Sequence, residues 1–158
     1  MFLRPYRSVD KRIVQKLFYD TVHEINARDY SPDQIKAWAP EIPDREGWSR
    51  LDQQYAYLVE YQRQIVGFAS MNDDGLIDYL FVHKDFQNKG IASTLLKQLE
   101  RVARKLPRDN IYTEASITAR GFFEAKGFSV ISAQEKKLNG VLLNYLIMKK
   151  SLLNVKSK

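Results

Sequence analysis

The stretch Asp78-Tyr79-Leu80-Phe81-Val82-His83-Lys84-Asp85-Phe86-Gln87-Asn88-Lys89-Gly90-Ile91-Ala92-Ser93-Thr94-Leu95-Leu96 decides the fold. It reads as a β-strand, a polar loop with one glycine, and the start of an amphipathic helix. That order has a chemical consequence. The first N–H groups of a helix have no intrahelical partner, and the helix dipole adds partial positive charge there. A glycine at that point lets a ligand approach the backbone. Strand, loop and helix start together make a seat for a phosphate or pyrophosphate. The run Gln87-Asn88-Lys89-Gly90-Ile91-Ala92, of the form Q-x-x-G-x-A, takes its meaning from this placement; the string alone is weak.

The same logic extends in both directions. Ile91, Leu95, Leu96, Leu99, Val102, Ala103 and Leu106 form one apolar stripe, predicting a helix over 90–106 that Pro107 ends. Asn110–Ser116 reads as the next strand. Strand, helix and strand make a right-handed crossover, so these two strands should be parallel. Upstream, β runs at 55–61, 64–71 and 76–82 are joined by Gln62-Arg63 and by Asn72-Asp73-Asp74-Gly75, an antiparallel meander. Before them lie a short strand, Phe2–Tyr6, and a helix over 8–27 with Ser8 as its N-cap. A second helix follows, capped by Ser31 with Pro32 in its first turn. A loop over Pro40–Asp44 leads to a short helix over 45–54 that turns Trp48 and Leu51 inward. Downstream, a short helix over 118–126 closes at Gly127. Strands over 128–135 and 141–148 are joined by the hairpin turn Asn139-Gly140. The fold class is α+β: one mixed, mostly antiparallel sheet with a single parallel junction at its centre and helices on both faces. Parallel neighbours can part at their ends, leaving backbone groups free to grip an extended ligand.

Composition narrows the chemistry. The 158 residues suit one domain over 1–150, with a short basic tail over 151–158. Without cysteine there is no disulfide, thiol nucleophile or thiolate metal site, and two histidines argue against a zinc centre, so no metal is expected. Met1–Pro5 lacks the apolar run of a signal peptide, and no stretch approaches the ~20 apolar residues of a membrane span. A cytoplasmic protein with no membrane partner is expected. The net charge of +6 is spread along the chain, densest at Arg101, Arg104, Lys105 and Arg108 and at Lys156 and Lys158. This reads as a solvated helix face and a tail, with a phosphate-rich ligand accounting for part of it. No nucleic-acid partner is expected, because no recognition motif is present and the aromatic residues do not interleave with the basic ones. Neither the P-loop nor the Rossmann glycine pattern occurs.

Two motifs resemble the GNAT superfamily of acyl-CoA-dependent N-acetyltransferases. One is strand 76–82 followed by Gln87-x-x-Gly90-x-Ala92 and the leucine-rich helix. The other is Ala119-Arg120-Gly121-Phe122-Phe123-Glu124-Ala125-Lys126-Gly127-Phe128, similar to A-x-x-x-[YF]-x-x-x-G-F. The resemblance implies acetyl-CoA as co-substrate and transfer of its acetyl group to a primary amine of a small molecule or peptide, by direct attack in a ternary complex. The alternative is a non-catalytic acyl-CoA-binding or protein-interaction module of the same fold. Many members are dimers, so a homodimer is a further possibility.

Residue by residue, the resemblance places the pyrophosphate on the loop and helix start: Gln87, Asn88, Lys89, Gly90, Ile91, Ala92 and Ser93. The main chain of Leu80, Phe81 and Val82 would pair with the pantetheine arm, and an amide there would hold the tetrahedral oxyanion. The helix over 118–126, with Phe123, would flank the other side of the arm. Lys89, Arg120 or Lys126 would meet phosphates at its edge, and Ser116 is a further cofactor-binding candidate. Phe123 stands where many members carry the tyrosine that protonates the leaving thiolate, and Ser116 where asparagine is common. Tyr145, Tyr79 or a water would then supply the proton, or the thiolate leaves unassisted. An alkyl amine of pKa ~10.4 also needs a base. Asp78 and Glu114, on the strands flanking the gap, are the candidates. His23, Tyr30 and Trp38 are candidates for the acceptor pocket, expected to be partly apolar with some negative charge from Glu24 and the 40–50 loop.

Overall fold

Alternating apolar runs dictate the centre of the molecule. The computed structural model describes residues 1–43 and 45–153. It contains the meander as β2 (Tyr55–Tyr61), β3 (Gln64–Met71) and β4 (Leu76–Val82). Gln62 and Arg63 turn the first hairpin with φ of 50° and 67°, and Gly75 turns the second with φ of 82°. With β1 (Phe2–Pro5), β5 (Asn110–Ala115), β6 (Ser129–Leu138) and β7 (Val141–Ser151) they form one seven-stranded sheet in the order β1-β2-β3-β4-β5-β7-β6. Among the described residues only β4 and β5 run parallel; every other neighbouring pair is antiparallel.

Each face has its own core. On one, α4 (Ile91–Ala103) lays Ile91, Leu95, Leu96, Leu99 and Ala103 against Val66, Ala69, Ile111 and Met148, all essentially inaccessible. Close packing of its first turn depends on Gly67: a Cβ there would lie 2.7 Å from Ile91 Cγ2 and 3.1 Å from Leu95 Cδ1. On the other face, α1 (Lys11–Glu24), α2 (Pro32–Trp38) and α3 (Arg45–Ser49) bury Val14, Leu17, Phe18, Ile35 and Trp48 against Leu58, Phe68 and Leu143. The short helix α5 (Arg120–Ala125) follows β5 and buries Phe123. Ser31 caps α2 by accepting from the Gln34 amide at 3.2 Å, and Gln34 Oε1 accepts from the Ser31 amide in return.

Several boundaries differ from expectation for local reasons. Ser8 does not cap the first helix. Its hydroxyl donates to Asp52, residues Ser8–Asp10 form a 3₁₀ turn, and the Asp10 carboxylate accepts from the Arg7 amide. The helix expected over 8–27 is α1 followed by another 3₁₀ turn, Asn26–Arg28. α4 stops at Ala103 and α5 spans 120–125. β6 runs on to Leu138 because it pairs with β7, and β7 runs on to Ser151 because its end pairs with β5. The expected tail at 151 is corrected in part. Ser151 ends β7 opposite Asn110, and the Leu152 amide donates to the Asp109 carbonyl at 2.8 Å. The rest of that tail, with Lys156 and Lys158, lies outside the described residues, as does Asp44.

Candidate active site

The parallel pairing of β4 with β5 is brief. It joins Leu76 to Tyr112 and Ile77 to Thr113 and goes no further. Beyond that, β4 stays with β3 while β5 stays with β7, so the two strands diverge. β4 also carries a bulge. Ser70 faces Tyr79 and Met71 faces Ile77, leaving Asp78 as the extra residue. Strand alternation would put Ile77 and Tyr79 on the same face. The bulge sends Ile77 to the α4 side and turns Tyr79 and Phe81 to the α1 side.

The backbone of β4 alternates as well. The His83 amide donates to the Val66 carbonyl at 2.8 Å, which sets Phe81 and Tyr79 as the residues whose peptide groups face β3. The groups of Leu80 and Val82 therefore turn to the opening. The Val82 carbonyl is already occupied, by the Thr21 hydroxyl at 3.0 Å and by Gln87 Nε2 at 2.8 Å. Leu80 N–H, Leu80 C=O and Val82 N–H remain for a ligand. Phe81, expected to contribute main-chain pairing, contributes its ring instead.

At the far end of β4 the loop folds back, with the Phe86 amide on the His83 carbonyl. Asn88 (φ 60°) and Gly90 (φ 83°) both take the left-handed conformation, and Gly90 is the N-cap of α4. A Cβ at Gly90 would meet nothing within 4 Å, so backbone conformation is what selects glycine there. No acidic side chain occupies the first turn of α4, and Gly90, Ile91, Ala92 and Ser93 line a cavity of about 1450 Å³. That cavity runs along the gap between β4 and β5 to the α1 face. Phe122, Phe123 and Lys126 of α5 wall its other side. Phe123 is nearly inaccessible, edge-on to Phe122 and Phe128. Thr118 Oγ1, also on the wall, is buried without a protein partner. The side chains of Lys89 and Arg120, both expected near phosphate, lie outside this lining: Lys89 is exposed, and Arg120 pairs with Glu124 along α5.

On the α1 side the wall is aromatic. Trp48 stacks on Tyr79 with centroids 4.7 Å apart, and Phe18 stands edge-on to Phe81 at 4.9 Å. Trp38 closes this wall at 6.2 Å from Phe81. Both candidate bases are ion-paired. Asp78 accepts from Gln54 Nε2 at 2.9 Å and from Arg50 at 3.4 Å. Glu114 meets Lys136 at 3.1 Å, and that ammonium sits 4.7 Å from the centre of the Tyr145 ring. Tyr30 lines the cavity as a pin: its hydroxyl donates to the Asn144 carbonyl at 2.9 Å and accepts from the Ile117 amide at 2.8 Å. Burial pushes its phenol above the ordinary tyrosine range, the Ile117 hydrogen bond partly opposing that shift. The Ser116 hydroxyl accepts from the Ala119 amide at 3.1 Å and shapes the turn into α5. His23 is the clearest displacement. It lies outside the cavity lining, donates from Nε2 to the Ala39 carbonyl at 2.8 Å, and stacks on Tyr19, so it ties α1 to the end of α2.

Thr21, Trp48 and Lys136 were not anticipated as residues of the site, and Tyr79, expected only as one possible proton donor, also builds its aromatic wall. Its place on the wall follows from the bulge at Asp78, which nothing in the neighbouring sequence marks. Thr21 and Lys136 reach the site across sequence separations that no local pattern encodes.

Comparison with known proteins agrees with this geometry. Residues 26–152 match the family described as acetyltransferase (GNAT) domain. The chain is 32% identical over 147 residues to the uncharacterized N-acetyltransferase YafP of Escherichia coli K12, covering 93% of each chain. It is 31% identical to a GCN5-related N-acetyltransferase structure from Rhodopseudomonas palustris, with a TM-score of 0.91 over 95% of this chain and 94% of that one. The PaiA N-acetyltransferase of Thermoplasma acidophilum, solved in complex with coenzyme A, shares the fold at 16% identity, with a TM-score of 0.70 over 96% and 99% of the two chains.

Proposed function

Because this chain belongs to the GNAT acetyltransferase family, we propose that it binds acetyl-CoA and moves the acetyl group to a primary amine by direct attack in a ternary complex. The observation that carries this reading is the alignment, along one cavity, of the unpaired backbone of β4 with the start of α4. The pyrophosphate lies on the amides of Asn88 to Ser93, where the helix start offers unshared N–H groups. The arm pairs like an added strand with Leu80 C=O and Val82 N–H. The thioester then lies near the bulge, with Leu80 N–H directed at its carbonyl oxygen. Charge developing on that oxygen in the tetrahedral intermediate is stabilised by an amide already in place. A protein of the same fold solved in complex with coenzyme A supports a coenzyme A ligand for this cavity.

Asp78 and Glu114 remain the carboxylates for proton removal from the amine, each acting only when released from its cation. Tyr145, beneath Lys136, or a water is the candidate donor to the thiolate. A thiol of pKa near ~8.5 is a tolerable leaving group without either. Phe123, buried and without a hydroxyl, favours the second reading, a module that holds acyl-CoA without turnover. Calorimetric titration with acetyl-CoA and a thiol-release assay over a panel of amines separate the two. Binding with release supports the transferase, binding without release on any amine supports the module, and absence of binding overturns both.

A further inference from the structure

We infer that the acceptor is an aromatic amine whose nitrogen is bonded directly to the ring, a nucleophile already neutral at neutral pH. This rests on the transferase reading above and specifies its acceptor. Three observations converge on it.

The first is the wall. Trp38, Tyr79 and Phe81 are partly exposed and line the cavity, backed by Phe18 and Trp48, which are 8% and 5% exposed. Tyr79 and Phe81 are the chain neighbours of Leu80, whose amide faces the reacting carbonyl. A flat ring laid on this wall therefore carries its substituent toward the thioester. Aromatic pairs of this kind add stabilisation beyond their buried area, which an aliphatic amine does not recover.

The second is charge. Asp20, Asp78 and Glu114 each hold their own cation, Lys16 at 2.7 Å, Arg50 at 3.4 Å and Lys136 at 3.1 Å. Arg12 and Glu41, both exposed on the lining, offset one another. The described lining thus has no excess negative charge with which to draw a polycation. It also has no carboxylate disengaged at the reaction end to take a proton from an ammonium. The Tyr30 hydroxyl is engaged on both sides, and His23 is bonded to Ala39 outside the lining. An alkyl amine, almost wholly protonated at pH 7, meets no ready base here. An aryl amine needs none, because its lone pair is shared with the ring and the nitrogen is unprotonated.

The third is the buried Phe123, which offers no proton to the leaving group. With a neutral aryl amine the balance closes without it. The nitrogen lone pair forms the C–N bond, the C–S bond breaks with its electron pair going to sulfur, and the proton shed by nitrogen ends on the thiolate, directly or through water. The products are the anilide and free coenzyme A thiol.

The test uses a matched pair, aniline and benzylamine, with spermidine as the polycation, in thiol-release assays on the full chain. At pH 7 the kcat/KM for aniline is expected to exceed that for benzylamine by about tenfold or more. From about pH 6.5 to about pH 9 the aniline value stays nearly flat, while the benzylamine value climbs about tenfold per unit. Trp38→Leu raises the KM for aniline about tenfold and leaves acetyl-CoA affinity unchanged. Faster turnover of benzylamine or spermidine at pH 7 overturns the inference and leaves the transferase reading standing. Acetyl-CoA binding with no thiol release on any of the three overturns the inference and removes support from the transferase reading as well.

Discussion

Ile77 and Tyr79 are two residues apart on one strand and face opposite sides of the sheet. The extra residue between them, Asp78, breaks the alternation. On the α4 side Ile77 joins the core that α4 covers. On the α1 side Tyr79 opens a face that Trp48 and Phe81 extend. One bulge thereby separates the proposed cofactor half from the proposed acceptor half on the same strand, at the point where β4 leaves β5.

Gly90→Ala should weaken acetyl-CoA binding by about tenfold and cost about 1 kcal/mol of stability, because alanine resists the left-handed conformation that Gly90 takes at φ 83°. Steric clash is not the cause, since the space is open. Calorimetric titration and urea unfolding measure the two effects; unchanged affinity would show that this loop does not hold the ligand.

Gly67→Ala acts by the opposite mechanism. Its methyl would lie 2.7 Å from Ile91 Cγ2, so the first turn of α4 must move away from β3. A loss of about 1–3 kcal/mol in urea unfolding is expected. A loss under about 0.5 kcal/mol would mean that Ile91 adjusts its rotamer instead.

Thr21→Val keeps shape and removes the hydroxyl that donates to the Val82 carbonyl across 61 positions of sequence. That carbonyl retains Gln87, so the expected stability loss is modest, about 1 kcal/mol. The KM for acetyl-CoA should rise several-fold, because β4 is no longer braced from α1. Thr21→Ser should restore it; failure of serine to rescue would point to packing.

Phe123→Tyr places a hydroxyl at a position 3% exposed, between Phe122 and Phe128. An unpaired hydroxyl there costs about 1–3 kcal/mol. We expect a lower melting temperature and no gain in kcat. A clear rise in kcat would show that proton donation to the thiolate limits the wild-type rate.

Acid stability should depend on Asp10. Its carboxyl is held below the ordinary aspartate range by hydrogen bonds from Arg4, with burial opposing and the Arg7 amide assisting. Arg4, which also contacts Glu60, is correspondingly raised above its ordinary value, first by Asp10 and then by Glu60. A depressed folded pKa means the stabilisation is present above the unfolded value, ~3.9, and is lost as pH falls through the folded one. The stability gap between wild type and Asp10→Asn should therefore be full at pH 7 and shrink below about pH 4. A gap unchanged at about pH 3 would remove this carboxylate from the acid response.

Much of the proposed cofactor half is local. Gln87 to Ser93 follow one another, and the strand before them and the stripe of α4 after them are periodic patterns that burial on one face enforces. The proposed acceptor half is assembled from distant pieces. Lys136 meets Glu114 across 22 positions, Tyr30 meets Asn144 across 114, and His23 bonds the Ala39 carbonyl outside the lining.

The order of elements, the single parallel junction and the glycine at the helix start follow from periodicity, turn chemistry and φ preference, which are properties of neighbouring residues. The length of the parallel pairing, the bulge at Asp78, the capping of the Val82 carbonyl and the ion pairing of both candidate bases belong to the tertiary structure. Each depends on which strand or helix lies alongside, and hydrogen bonding and charge pairing between remote segments are settled only when those segments pack.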